Sequence, residues 1–369
     1  MEERPQEASQ IGLALSAAAD DKASDVHVRA GMPPHIRRGK RLQPPPGAGP
    51  VSAEEMAQAE ALVRQVSSME DSATVVHTDY PEQDGVPTRR QTRWRATPFE
   101  TTLGTHIAYR RIPDTPPDIS DLGLPEEVRN LASLEDGLII VAGATGSGKT
   151  TTLAALLRLI VETRSVHVLT IENPVEYAYP EGRALVSQRE VPSAQYAQSL
   201  KLAMRSDPDV VLLGECLSQE EFEGCMNLAM TGHLVLTTMH ARDATATCER
   251  IATETGAPGR AMLGQTLQAV VAQRLLASAA DPSKRHCAAE FLVNSTAVRN
   301  YLKPDGGDMA QIRQHLSGKG RSLDRVLSQM VDEGAILEET ARSACIDQEA
   351  FENLRKVSSG RAGTNRTAI

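Results

Sequence analysis

Aromatic side chains are scarce in this chain, at 3% of 369 residues. A core must therefore be built from Leu, Val, Ile and Ala. Cysteine is sparse too: Cys216, Cys225, Cys248, Cys287 and Cys345 are scattered and form no C-x-x-C pair. That spacing excludes a disulfide framework or a structural zinc site and fits a reducing compartment. No run approaches the roughly 18 apolar residues of a membrane span. The opening stretch, Met1-Glu-Glu-Arg-Pro-Gln, is polar and lacks the apolar region of a signal peptide, so a cytoplasmic location is expected. Positive charge is not in excess. With 39 Lys and Arg against 48 Asp and Glu the net charge is -9, which argues against a surface that coats nucleic acid. A local basic stripe is compatible with that balance.

What remains is 40% apolar and 24% charged, the make-up of an ordinary globular protein, and the length suggests two domains. Residues 1–112 read as one α+β domain. Ile11–Ala19 has helical character, and Asp25-Val-His-Val-Arg29 alternates like a strand before the turn at Gly31-Met-Pro-Pro34. Ser52 and Glu55 have capping-box spacing, which predicts a helix running to about residue 68. Two alternating strands follow near 89–97 and 103–111. The Pro-rich stretch 113–118 is a stiff linker, and residues 119–357 form the second domain. The last hundred or so residues read as helical, and the polar tail 358–369 as disordered.

The chemistry is carried by Gly143-Ala144-Thr145-Gly146-Ser147-Gly148-Lys149-Thr150, a complete G-x-x-x-x-G-K-[ST] loop. An apolar strand, Gly137–Val141, precedes it, and helical apolar spacing follows from Thr151. Glycines let backbone N–H groups close around phosphate oxygens, and the helix start adds partial positive charge. Lys149 can reach the β/γ-phosphates and the Thr150 hydroxyl can ligate Mg²⁺, so ATP and Mg²⁺ are the expected ligands.

Three further apolar strands end in polar residues: Val166–Ile171 at Glu172, Val210–Leu213 at Glu215, and Leu234–Thr238 near His240. This grammar predicts an open parallel sheet with its site at the carboxyl edge. Glu215 occupies the Walker B position beside Mg²⁺. Glu172 can orient or deprotonate a water, with Glu176 as the competing base. His240 can hydrogen-bond a γ-phosphate, whereas His233 begins its strand and points elsewhere. A basic stripe, Arg89, Arg90, Arg93, Arg95, Arg110 and Arg111, admits three readings: a solvated face, a nucleic-acid surface stacking on Trp94, or arginines reaching a nucleotide.

In this order the motifs resemble those of the type II/IV secretion and type IV pilus ATPases. The likeness is to the PilT-like retraction branch and the DotB/TraJ-like branch of type IVB secretion and conjugal transfer. It spans about residues 10–350 and rests on Ala23-Ser-Asp-Val-His27, Arg93-Trp-Arg95, Arg110-Arg-Ile-Pro113, the phosphate loop, Leu169–Tyr177, Asp207–Glu215, Thr231–His240 and Gln273-Arg-Leu275. The resemblance implies a PAS-like N-terminal domain, a RecA-like ATPase domain and a homohexamer. It also implies Glu172 as catalytic glutamate, Glu215 as the Walker B residue, and Arg93, Arg95 and Arg110 as nucleotide contacts. Inner-membrane platform or secretion-channel proteins are the implied partners, with peripheral recruitment to the membrane and no stable nucleic acid.

The sequence departs from the family pattern at Asn173, at Cys216-Leu217-Ser218 after Glu215, and at Met239-His240-Ala241. With no four-cysteine element, it sits among the shorter, zinc-free members. Two other functions fit the same core: a nucleotide-binding regulatory subunit with weak hydrolysis, and a RecA-like nucleic-acid translocase.

Overall fold

The computed structural model describes residues 9–364 except 22, 39–40, 67–72, 80–81, 84–85, 88–89, 114, 180–181, 282–283, 306 and 320. Arg89 and tail residues 365–369 thus lie outside the described residues. The chain divides into two compact units, Met1–Thr115 with Val175–Ala178, and Pro116–Pro174 with Tyr179–Ile369.

The first unit runs α1 (Gln10–Asp20), β1 (Asp25–Arg29), β2 (His35–Arg38), β3 (Arg41–Gln43), α2 (Ala53–Val66), β4 (Ala73–Asp79), β5 (Glu82–Gln83), β6 (Val86–Pro87), β7 (Arg90–Thr101) and β8 (Gly104–Ile112). Six of the strands form one antiparallel sheet in the order β3-β2-β1-β8-β7-β4. Alternation decides which face is covered. Val26, Val28, Ile36, Ile107 and Tyr109 share a core with Ile11, Ala14, Leu15 and Ala18 of α1. The capping-box expectation holds by half. Ser52 Oγ accepts from the Glu55 N–H at 3.1 Å. The Glu55 carboxylate turns instead to α1, where it accepts from the Ile11 N–H at 2.8 Å and from Ser9 Oγ. A tertiary contact has taken the side chain that local spacing assigned to its own helix.

The second unit contains α3 (Glu126–Asn130), β9 (Gly137–Ala142), α4 (Lys149–Thr163), β10 (His167–Glu172), β11 (Leu185–Glu190), α5 (Tyr196–Ala203), β12 (Val210–Leu213), α6 (Gln219–Met230), β13 (Leu234–Met239), α7 (Ala244–Thr266), β14 (Leu267–Ala277) and β15 (Arg285–Val293). Helices α8 (Thr296–Tyr301), α9 (Ala310–Gly318), α10 (Leu323–Asp332), α11 (Glu338–Ala344) and α12 (Gln348–Thr364) follow.

Its sheet order is β11-β10-β12-β13-β9-β14-β15, parallel except for the last pair. Alternate strand residues enter two cores. Ile139, Val141, Leu212 and Leu236 meet Leu153, Leu156, Leu157 and Ile160 of α4, while Ile140, Leu213 and Val235 meet α5, α6 and α7. Burial on both faces explains why these strands read as continuous apolar runs.

Two expectations are corrected here. The last hundred residues are not all helical, because β14 and β15 lie among them. Short apolar runs do not distinguish a buried strand from a helix by periodicity. The tail is not irregular from Ser358, since α12 continues to Thr364.

Glu290 ties the C-terminal helices to this sheet. Only 2% exposed, its carboxylate accepts from the Ala244 N–H at 2.8 Å and the Leu323 N–H at 3.0 Å, the starts of α7 and α10. Burial raises its pKa from 4.5 to about 7, against those two bonds and with help from Asp243 and Asp324. A carboxyl with a raised folded pKa binds its proton more tightly when folded, so stability falls as pH rises from about 4.5 to about 7. Gln cannot titrate. Going from pH 5 to pH 8, the melting-temperature advantage of wild type over Glu290→Gln is therefore expected to shrink. An advantage that stays constant across that range would contradict this account.

Candidate nucleotide site

The phosphate loop joins β9 to α4 at the carboxyl edge of the second unit's sheet. Its shape depends on glycine at two points. Gly148 caps α4 with φ 88°, where an L side chain is strained. A Cβ on Gly143 would sit 2.3 Å from Ser147 Oγ and 2.6 Å from the Gln273 carbonyl. Lys149 opens α4 and is 9% exposed. Its ammonium donates to the carbonyls of Gly143 at 3.1 Å and Ala144 at 3.2 Å, so it lies back over its own loop. Thr150 and Thr151 follow in the first helical turn, half-buried. An open cleft of about 680 Å³ borders residues 143–147, His240 and the end of β14.

The strand ends bring three predicted residues together. His240 Nε2 is 2.7 Å from Glu215 Oε1, and His240 Nδ1 is 3.5 Å from Lys149 Nζ. One imidazole thus spans the loop lysine and the Walker B-position carboxylate. The connections bearing it are pinned. Thr238 Oγ1 donates to the Gly214 carbonyl at 2.7 Å, and the Cys216 N–H donates to the Thr238 carbonyl at 2.9 Å. Burial pushes the Cys216 thiol well up and that of Cys248 to about 12, so neither supplies a thiolate.

Glu172 ends β10, next to β12, and is 6% exposed. Gln188 Nε2 approaches it at 3.4 Å. Burial raises the phenol of Tyr196, with the Glu172 carboxylate adding to the shift. Glu176, the competing base, is exposed and falls in the segment grouped with the first unit. His233 is placed away from the loop, at the start of β13, where its ring meets the Leu228 carbonyl at 3.0 Å.

Arg93, Arg95 and Arg110 lie on β7 and β8 of the first unit, with Arg95 opposite Arg110. Arg110 Nε donates to Asp25 at 3.0 Å. The stacking role considered for Trp94 is overturned. That side chain is fully buried, with its N–H on Thr92 Oγ1 at 2.9 Å, so no base can reach its face.

The residues fit a nucleotide with Mg²⁺. Ser147 Oγ is buried without a hydrogen-bond partner among the described residues, and the loop leaves no room for a Cβ at Gly143. A hydroxyl and a carboxylate, Thr150 and Glu215, are the hard oxygen donors that Mg²⁺ takes alongside phosphate.

Residues 8–367 match the family described as type II/IV secretion system protein. The chain belongs to that family. It is 33% identical over 354 residues to the type IV pilus retraction ATPase PilT of Pseudomonas aeruginosa, covering 91% of this chain and 98% of PilT. Among solved structures, a pilus retraction motor PilT with bound ADP superposes with a TM-score of 0.78 at 30% identity, covering 93% of this chain and 99% of that one. The Legionella pneumophila ATPase DotB gives 0.69 at 25% identity, covering 93% and 97%. This secretion-family chain is an ATPase with a RecA-like second unit.

Its departures from the family pattern have local jobs. Ser218 caps α6 in a reciprocal box with Glu221, and Asn173 Nδ2 donates to Ser193 Oγ at 3.0 Å. The sequence reading missed Arg250. From α7 its guanidinium donates to the His240 carbonyl at 3.1 Å and reaches the Leu217 carbonyl at 3.4 Å, bridging the connections that carry His240 and Glu215. Nothing in its local pattern marks it. Arg250→Met is expected to lower ATP turnover by about tenfold or more, the scale of a lost charged hydrogen bond, with KM changed less. Unaltered steady-state turnover would show that the pinned strand ends suffice.

Proposed function

We propose that this ATPase works as a homohexameric motor whose hydrolysis of MgATP powers a membrane-embedded pilus or secretion machine. The observation that carries the reading is the run Lys149–His240–Glu215 over the phosphate loop, at distances of 3.5 and 2.7 Å. In this reading residues 143–151 hold the phosphates, and Lys149 neutralises charge at the β/γ oxygens. Thr150 and Glu215 would hold Mg²⁺, which supplies charge stabilisation at the transferring phosphoryl group. Glu172, at the adjacent strand end, orients or deprotonates the attacking water. His240 holds Glu215 and senses the terminal phosphate.

Arg93, Arg95 and Arg110 extend this to nucleotide contact from the first unit. A guanidinium fork suits a terminal phosphate better than an ammonium does. PilT is a retraction ATPase by name and DotB an ATPase, which supports a motor over a regulatory subunit. The buried Trp94 and the net charge of -9 weigh against a nucleic-acid translocase. No helix among the described residues is long and apolar enough to cross a membrane. Recruitment by inner-membrane platform or channel proteins, from the cytoplasm, accounts for work on a membrane machine.

Purified Lys149→Ala should lose nearly all ATPase activity, and Glu215→Gln should bind nucleotide yet hydrolyse it at least ~100-fold more slowly. Glu172→Gln should resemble Glu215→Gln. If Glu176→Gln alone shows the defect, the water is handled by the other carboxylate. Wild-type turnover in Lys149→Ala would remove the basis of the site.

Light scattering with a non-hydrolysable ATP analogue is expected to give the mass of six chains. Ala at Arg93, Arg95 or Arg110 should lower turnover and flatten its dependence on ATP concentration, with Lys rescuing poorly. A monomer at every concentration would contradict the ring.

A further inference from the structure

Gln273 places a buried amide at the end of the apolar run Ala269–Ala272 of β14. It sits on β14, which runs parallel to β9 with Ala272 opposite Ala142, one residue before the phosphate loop. It is 2% exposed, and a polar group buried that deeply is costly unless each of its ends is bonded. Both ends are. Gln273 Nε2 donates to the Ser147 carbonyl at 2.7 Å, and Thr152 Oγ1 donates to Gln273 Oε1 at 3.0 Å.

The Ser147 carbonyl can only accept, so it takes the amide NH₂ and leaves Oε1 facing the Thr152 hydroxyl, which donates to it. The Ser147 carbonyl belongs to the peptide whose N–H is that of Gly148, and among the described residues the only cis peptide is Asn173-Pro174. In a trans peptide the carbonyl and the N–H lie in one plane and point in opposite directions across the C–N bond. Holding the carbonyl inward on Gln273 therefore turns the Gly148 N–H outward, to the side where the loop meets a phosphate. Gly148, at φ 88°, is a residue whose flanking peptides turn easily. A Cβ there would lie 3.1 Å from Gln273 Nε2, so the amide packs directly against this residue.

We infer that Gln273 is a positioning residue for nucleotide binding. It locks the Ser147–Gly148 peptide with its N–H presented to a nucleotide phosphate, and Thr152 satisfies the far end of the amide. The inference rests on the phosphate loop being the nucleotide site. It adds a residue from the neighbouring strand that touches no ligand.

The test measures Mg²⁺–ADP affinity of the full chain by calorimetry, together with KM and kcat for ATP. Gln273→Met fills similar space without a donor and should weaken ADP binding on the order of tenfold, the scale of one buried carbonyl left unpaired. Gln273→Glu sets a carboxylate oxygen against the Ser147 carbonyl and should weaken it further. Thr152→Val leaves Oε1 unpaired and loosens the amide, and should fall between wild type and Gln273→Met. In each, KM should rise in step with the ADP dissociation constant while kcat stays within about threefold. A packing role alone predicts a shifted melting temperature with unchanged affinity for Gln273→Met, and that result overturns the inference. Should the Glu variant fail to fold by circular dichroism, the Met and Thr152→Val proteins decide. Lys149→Ala separates the two levels. If it loses affinity while the Gln273 and Thr152 variants keep theirs, only this inference fails. If Lys149→Ala itself binds ADP normally, the site reading fails with it.

Discussion

The parallel register of the second unit's sheet is the constraint on which the site depends. Strands β10, β12, β13, β9 and β14 run the same way. Their carboxyl ends therefore lie along one edge, and each loop leaving that edge can contribute to one place. Glu172, Glu215, His240 and the phosphate loop come from four separate stretches of chain. They share an edge because both faces of the sheet are buried and the strands cannot slip without exposing apolar side chains.

Within that frame, polar side chains set positions that backbone pairing leaves loose. Thr238 and Arg250 hold the connections after β12 and β13, and Gln273 holds the loop after β9. Each binds a carbonyl in a neighbouring connection. A carbonyl at a strand end has no ladder partner, so a side-chain donor there both satisfies it and fixes the peptide's orientation. Precision at the site comes from these few bonds more than from the loops' own sequences. Glu290, opposite Ala272 on β15, does similar work, joining the starts of α7 and α10 through one buried carboxylate.

The first unit follows a different logic. Its antiparallel sheet is covered by helices on one face, and Asp25, His27, Arg95, His106 and Arg110 share the opposite one by register. His27 and His106 lie 3.2 Å apart there, and burial lowers the pKa of both. The guanidinium groups of Arg95 and Arg110 on that face suit contact with anions. That is the physical ground for proposing that the arginines contact nucleotide.

The sequence alone determined the elements whose signals are local. The phosphate loop needs its glycines and lysine at fixed spacing, so Gly143 to Thr150 could be read directly. Strands buried on both faces show as apolar runs, which placed Glu172, Glu215 and His240 at strand ends. Strands β14 and β15 escaped, because a short apolar run carries no period that separates strand from helix. The Glu55 carboxylate escaped as well, since a residue 44 positions away claimed it. Tertiary structure alone decided that Trp94 is core, that His240 bridges Lys149 and Glu215, and that Arg250 and Gln273 serve the site. Those facts depend on which side chains meet across sequence separations of up to 126 residues, and no local pattern encodes such a meeting.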